Sequence, residues 1–383
     1  MRILLASSKF SPEYSGSGYR AKNLYLRLKK KYNLKFTVFS NSKIYKKNIY
    51  KRNFIRIGRL FINLKKNKLL ELFNIANDVF YSWKFIRKNI NNYDLLHTFG
   101  NSYGLSFLTL YFGIKKKPII REICNIISTP FYPIQLSSII NKIFLRKNTL
   151  LISISPWLTK ICKKYKYNSL WSRSNPIDEK KYYPNFKNKF YFRKKLTNFS
   201  KKDKIILFIS SFMPQKNHIF LIKVLNQLPK NYKLILGGPH QSDNERNQYL
   251  KILRLKDKYK LNNRIIILDG FVNNFNEYLW ASDVLAFPVS KDEGFGTPVV
   301  EAQACGIPVV SNNIKDLTEH YIKDGIGGYR SKLEKKQFAQ KIKLTIKIRK
   351  TTLKKNALNF LDQISTKVID NRYFDLISKL INE

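Results

Sequence analysis

Two glutamates bracket a glycine-rich loop in the second half of this 383-residue chain. Glu293 precedes Gly294-Phe295-Gly296, and Glu301 stands eight positions on (301 − 293), beyond Thr297-Pro298-Val299-Val300. The stretch 291–310 reads as a strand end, a loop, a short helix, a stop at Gly306 and a new strand after Pro308. Thr297 is expected to cap the helix through its hydroxyl, with Pro298 at the first helical position, where a missing N–H costs nothing. Gly306 then ends the helix in a left-handed conformation. A helix start offers unbonded N–H groups and the positive end of a dipole, which suits a phosphate. Gly294 and Gly296 keep the loop slim enough for a ligand to touch backbone. Carboxylates accept from hydroxyls, so a phosphate grip flanked by two of them has the chemistry a nucleotide sugar needs.

Strand and helix patterns alternate through both halves, as parallel α/β sheets require. In the second half, 205–209 is a continuous apolar run of the kind buried on both faces. It leads through Ser210-Ser211 to Lys216, an ammonium near a helix start. Further strands end at Gly237-Gly238 and at Asp269-Gly270-Phe271-Val272, and 284–288 feeds the glutamate loop. In the first half, strand 2–6 is followed by a loop holding Gly16 and Gly18 and a helical pattern over 19–30. That order is the first unit of a doubly wound domain. The strand signature 93–98 carries His97 near its C-terminal end, where it either points out of the sheet or is an ordinary core histidine. A basic, aromatic-rich helix over roughly 60–90 has two readings: packed on its own domain with a solvated Lys face, or resting on lipid headgroups. Core packing needs the same apolar positions and is preferred on sequence. The polar, aromatic, aperiodic stretch 182–204 reads as a linker.

The chain carries 72 Lys and Arg against 25 Asp and Glu, a net charge of +47. Those charges are spread along the whole chain, which fits a skewed composition as well as attraction to an anionic surface. Near an anionic leaflet each Lys or Arg is worth ~1 kcal/mol. Cys124, Cys162 and Cys305 are odd in number, far apart and without metal-ligand spacing, so disulfides are not expected. The N-terminal apolar run is too short for a signal peptide, and no apolar run approaches the ~20 residues that span a bilayer. A cytoplasmic protein is expected, one able to contact the inner face of the cytoplasmic membrane without crossing it.

The run Glu-Gly-Phe-Gly-Thr-Pro-Val-Val-Glu-Ala-Gln-Ala-Cys-Gly-Ile-Pro-Val-Val closely resembles retaining glycosyltransferases of family 4, which have the GT-B fold. The resemblance is dense over 205–329 and sparse over 1–178. It implies two Rossmann-like doubly wound domains facing across a cleft. An acceptor-side domain would span 1–182, a nucleotide-sugar domain 183–355, and the terminal helix 356–383 would cross back to the first. It implies transfer of a hexose, with retention, to a glycan or lipid-linked acceptor in cell-surface polysaccharide biosynthesis. Glu293 and Lys216 would be catalytic, on the sugar and on the diphosphate. Glu301 would hold the ribose, and Gly294, Phe295, Gly296, Thr297, Pro298, Val299 and Ser211 would meet the donor phosphates and sugar. Gly270, Phe271 and Val272 would lie against the nucleobase, and Gly16, Gly18 and His97 would face phosphates or acceptor. No metal or other cofactor is expected, and no nucleic acid. Two departures stand out: Cys124 where many relatives carry His, with Arg121 and Glu122 as substitute polar groups, and Ser211 where many carry Arg. They keep open a GT-B chain without catalysis that serves as a partner subunit. The charge alone keeps open a nucleic-acid binder, although no recognition motif accompanies it.

Overall fold

The computed structural model describes the chain apart from Tyr14 and residues 43–44, 63–66, 125–140, 146, 165–166, 168, 291–295, 315–317 and 383. It divides into two compact units, Met1–Ser174 with Ile369–Glu383, and Asn175–Val368.

Among the described residues the first unit holds an eight-stranded sheet. Its strands are β1 (Arg2–Ser7), β2 (Lys35–Asn41), β3 (Ile49–Lys51), β4 (Phe54–Ile57), β5 (Leu95–Phe99), β6 (Ile119–Ile123), β7 (Thr149–Ser153) and β8 (Ser169–Ser172), in the order β3-β4-β2-β1-β5-β6-β7-β8. Every pairing is parallel except β3 with β4. A central parallel strand must bury both faces, and β1 does: Ile3 and Leu5 enter one apolar layer, Leu4 and Ala6 the other. The helices are α1 (Gly16–Tyr32), α2 (Lys68–Asn89), α3 (Tyr103–Ile114) and α4 (Pro156–Lys163). α1 starts earlier than its apolar pattern suggests, because the Ser15 hydroxyl accepts from the Gly18 N–H at 2.9 Å. Gly16 and Gly18 therefore belong to the first helical turn rather than to a loop. A Cβ on Gly18 would come within 2.3 Å of the Lys9 carbonyl oxygen, so glycine is what lets α1 approach the β1 loop.

The second unit holds a parallel six-stranded sheet, among the described residues, in the order β11-β10-β9-β12-β13-β14. The strands are β9 (Lys204–Ile209), β10 (Tyr232–Gly238), β11 (Ile265–Asp269), β12 (Val284–Phe287), β13 (Val309–Asn312) and β14 (Gly328–Ser331). Strand order reverses between β9 and β12, and in open α/β sheets ligands bind beyond the carboxyl ends of the strands at such a reversal. Its helices are α5 (Lys189–Leu196), α6 (His218–Leu225), α7 (Asp243–Lys258), α8 (Phe275–Ala281), α9 (Thr297–Ala304), α10 (Thr318–Tyr321), α11 (Lys335–Thr345) and α12 (Lys350–Ile364).

The stretch read as a linker is not one. It contains α5, whose Arg193 is buried and donates to the Ala281 carbonyl and to Asp283 at 2.9 Å. The terminal stretch is likewise two helices: α12 stops at Ile364, and α13 (Thr366–Asn382) follows. The start of α13 is held by Glu179, which accepts from the Thr366 hydroxyl at 2.7 Å and its N–H at 3.0 Å. The remainder of α13 belongs to the first unit. There Asp370 accepts two bonds from Arg27, at 2.6 and 2.9 Å, and Phe374 stacks on Tyr32 with centroids 3.8 Å apart.

Candidate functional site

In the second unit the loops after β9, β10, β11 and β12 are tied into one rim. The Ser210 N–H donates to the Gly237 carbonyl at 2.8 Å, and the Phe212 N–H to the Pro239 carbonyl at 3.1 Å. A Cβ on Gly238 (φ 146°) would strike the Ser210 carbonyl oxygen at 1.9 Å, so this close approach requires glycine. The Lys216 turn is joined to the segment after β12. The Ser290 N–H donates to the Gln215 carbonyl at 3.0 Å, and the Asn217 side-chain amide to the Pro288 carbonyl at 3.3 Å. Ser211 and Lys216, both partly exposed, thus border the segment that runs into the glutamate loop.

Glu293, Gly294 and Phe295 lie outside the described residues. Beyond them the helix start differs from expectation in one respect. Gly296 is the cap (φ 71°, ψ 50°), and Thr297 is already the first helical residue. The left-handed conformation is cheap for glycine and costly for a β-branched residue, so the cap falls one position earlier. Pro298 has no N–H and that of Val299 is spent on the Gly296 carbonyl at 2.9 Å. Thr297 is exposed at the first position of the helix. Gly306 takes φ 72°, as the stop signal requires.

Glu301 is partly buried on α9. Burial pushes its carboxyl up to about 7, against a hydrogen bond from Tyr182 and the charge of Lys181. Lys181 in turn donates to the Asn273 carbonyl at 2.9 Å, in the segment that continues Gly270-Phe271-Val272. Lys181 and Tyr182 therefore join Glu301 to the loop after β11. Neither was expected at the site, because both fall beside the stretch read as a domain boundary, and no local pattern marks them. Gly270 takes φ 78° and Phe271 is exposed beside it.

His97, Gly16 and Gly18 belong to the first unit. His97 is enclosed rather than presented: Nδ1 lies 2.8 Å from the Tyr25 hydroxyl and Nε2 3.6 Å from Glu122. Burial lowers its basicity. A cavity of about 130 Å³ opens at the α1 start, lined by Glu13, Ser15, Gly18, Tyr19, Lys22 and Asn23 among others. Among the described residues no group of three or more His, Cys, Asp or Glu could hold a metal ion.

Residues 190–359 match the family of glycosyl transferases group 1. The capsular polysaccharide biosynthesis glycosyltransferase CapH of Staphylococcus aureus is 31% identical over 159 residues, 40% of this chain and 42% of that protein. The chain thus spans less than half the length of this curated relative. Sucrose-phosphate synthase of Thermosynechococcus elongatus superposes over 100% of this chain and 99% of its own, with a TM-score of 0.75 at 17% identity. HepE of Anabaena, crystallised with UDP and glucose, superposes over 98% and 99%, with a TM-score of 0.69 at 17% identity. A full-length superposition at such low identity speaks for the fold, and the matched segment carries α9, with Glu301 on it, and Lys216. Residues 190–359 thus form a segment of the glycosyl transferases group 1 type, and the whole chain has the GT-B fold.

Proposed function

We propose that this protein is a retaining glycosyltransferase of cell-surface polysaccharide biosynthesis. It moves a hexose from a nucleotide-diphosphate sugar to a glycan or lipid-linked acceptor at the inner face of the cytoplasmic membrane. The observation that carries the reading is Glu301 on the helix that follows β12, linked through Tyr182 and Lys181 to the loop after β11, where burial raises its carboxyl to about 7. Two ribose hydroxyls donating to that carboxyl would stabilise its ionised form, as the protein's own groups do only in part. The Thr297 N–H and the Lys216 ammonium meet the negative charge that builds on the departing diphosphate. The anomeric C–O bond breaks with its electron pair leaving on the diphosphate. The acceptor oxygen joins the same face, its proton passing to the released phosphate. Glu293 holds sugar hydroxyls and faces the positive charge at the anomeric carbon. Lysine and helix amides supply the counter-charge, so the nucleotide sugar is a co-substrate and no metal takes part. That HepE was crystallised with UDP and CapH is named for capsular polysaccharide supports both donor class and pathway.

The test is a thermal-shift screen against UDP, GDP and ADP sugars, followed by transfer assays with the donor that stabilises the protein. Lys216→Ala and Glu293→Ala are each expected to lower turnover about a hundredfold or more while the unfolding transition stays intact. Chelator is expected to leave the rate unchanged. Transfer at the wild-type rate by either variant removes the assigned roles.

A further inference from the structure

α2 is inside out. Its residues Asn74, Asn77, Asp78 and Ser82 are buried, and each is bonded. Asn74 exchanges two 3.1 Å bonds with the Phe61 backbone, and Asn77 donates to the Gly58 carbonyl at 2.9 Å. Asp78 accepts from Asn41 at 3.0 Å, and Ser82 donates to the Asp78 carbonyl at 2.6 Å. The opposite side is apolar and in water: Leu69 is 62% exposed, Leu72 60%, Phe73 49% and Phe80 51%. With Ala76, also exposed, and the half-buried Trp83, these positions form one stripe of about 100°. Over the 15 residues from 69 to 83, at 1.5 Å per step, the stripe runs about 21 Å. Leu60 and Phe61 are exposed as well, and the Phe61 ring lies 6.3 Å from that of Phe73.

Cations frame the stripe. Lys68, Lys84, Arg87 and Lys88 are exposed, and the Arg87 guanidinium lies 4.4 Å over the Trp83 ring. The two acids of α2 are withdrawn: Asp78 is buried, and Glu71 is paired with Arg59. An exposed apolar patch of this length marks a docking surface. A second copy is a poor occupant, because two chains of +47 repel. An anionic bilayer takes both features: aliphatic and aromatic side chains enter the acyl boundary, and the flanking cations meet phosphate headgroups.

We infer that the outer face of α2 docks this protein on an anionic lipid surface. The inference deepens the proposed function by assigning the membrane contact to the first unit, and vesicle binding can be measured without any transfer activity. The full chain is floated with vesicles of phosphatidylcholine plus phosphatidylglycerol, and with phosphatidylcholine alone. Wild type is expected to float with the anionic vesicles and to be released by salt. Combined Leu69→Ser, Leu72→Ser, Phe73→Ser and Phe80→Ser is expected to weaken binding about tenfold or more, since apolar insertion and charge act together. Its fold and its nucleotide-induced thermal shift should persist, because these side chains already lie in water. The inference is overturned if wild type stays unbound, if the serine variant floats as well as wild type, or if the patch mediates a dimer that the variant dissolves. A missing nucleotide shift alongside normal flotation would count against the proposed function and leave the docking face standing.

Discussion

Glu122, fully buried in the first unit, and Glu301, partly buried in the second, have acidities that move in opposite directions. Burial alone would raise Glu122, but Arg173 at 2.8 Å and the neighbouring His97 hold it down at about 2. The Tyr373 hydroxyl donates to its other oxygen. Burial raises Glu301 to about 7, and Tyr182 and Lys181 only partly resist. The contrast separates two uses of an enclosed carboxylate. Glu122 is matched by the chain itself and locks the α13 segment, through Tyr373, to the sheet of its unit. Glu301 is left with an ionised form that the chain does not fully support, so an added hydrogen-bond donor has something to gain there.

The sharpest way to break this comparison is to take the cation from Glu122. Arg173→Met leaves a buried carboxylate alone and should destabilise the protein by about 3–5 kcal/mol, read as a lowered urea midpoint. In the wild type the folded value, about 2, lies below the ordinary 4.5. The contribution is therefore present above pH 4.5 and is lost as pH falls from there towards 2. Arg173→Met should flatten that acid limb. An unchanged midpoint at neutral pH would mean that Glu122 is not held by charge. A smaller effect comes from the second oxygen. Tyr373→Phe removes one donor to a buried charge, at a cost of about 2 kcal/mol. It should also expose the α13 segment to limited proteolysis.

The alternation of strands and helices was readable because parallel strands buried on both faces leave long apolar runs, as at β1 and β9. The course of the glutamate helix was readable from Pro298 and Gly306, each of which constrains backbone. Only the cap was misassigned, since a glycine cap leaves no side-chain signature to compete with Thr297. Long-range partnerships were not readable. Arg193 looks like a solvated charge in a basic stretch, and only its bonds to Ala281 and Asp283 reveal α5 as part of the second unit. Tyr182 and Lys181 reach Glu301 from far upstream in the chain. On α2, periodicity reports that two faces differ without saying which one turns inward. There the buried positions from Asn74 to Ser82 are polar because their neighbours include the Phe61 and Gly58 backbones and Asn41, and only towards its end does α2 send Ile86 into an apolar layer.

The mildest test acts on the other side of the comparison. Glu301→Gln keeps the shape of the side chain and removes its charge. The folded carboxyl holds its proton more tightly than the ordinary value of 4.5. Ionising it therefore costs stability, from nothing below pH 4.5 to its full extent above about 7. Allowing for partial exposure, the glutamine variant should gain about 1–2 kcal/mol in the nucleotide-free protein at pH 8, and nothing at pH 4. The same substitution should act in reverse on ligand. Ribose hydroxyls favour the ionised carboxylate, so wild-type affinity for the stabilising nucleotide should rise with pH up to about 7 and then level off. The glutamine variant should bind more weakly at pH 8, with no slope across that range. Calorimetric titration at several pH values reads both features at once. A variant that is less stable than wild type at pH 8, or that keeps the wild-type slope, would show that Glu301 is matched within the chain in the manner of Glu122.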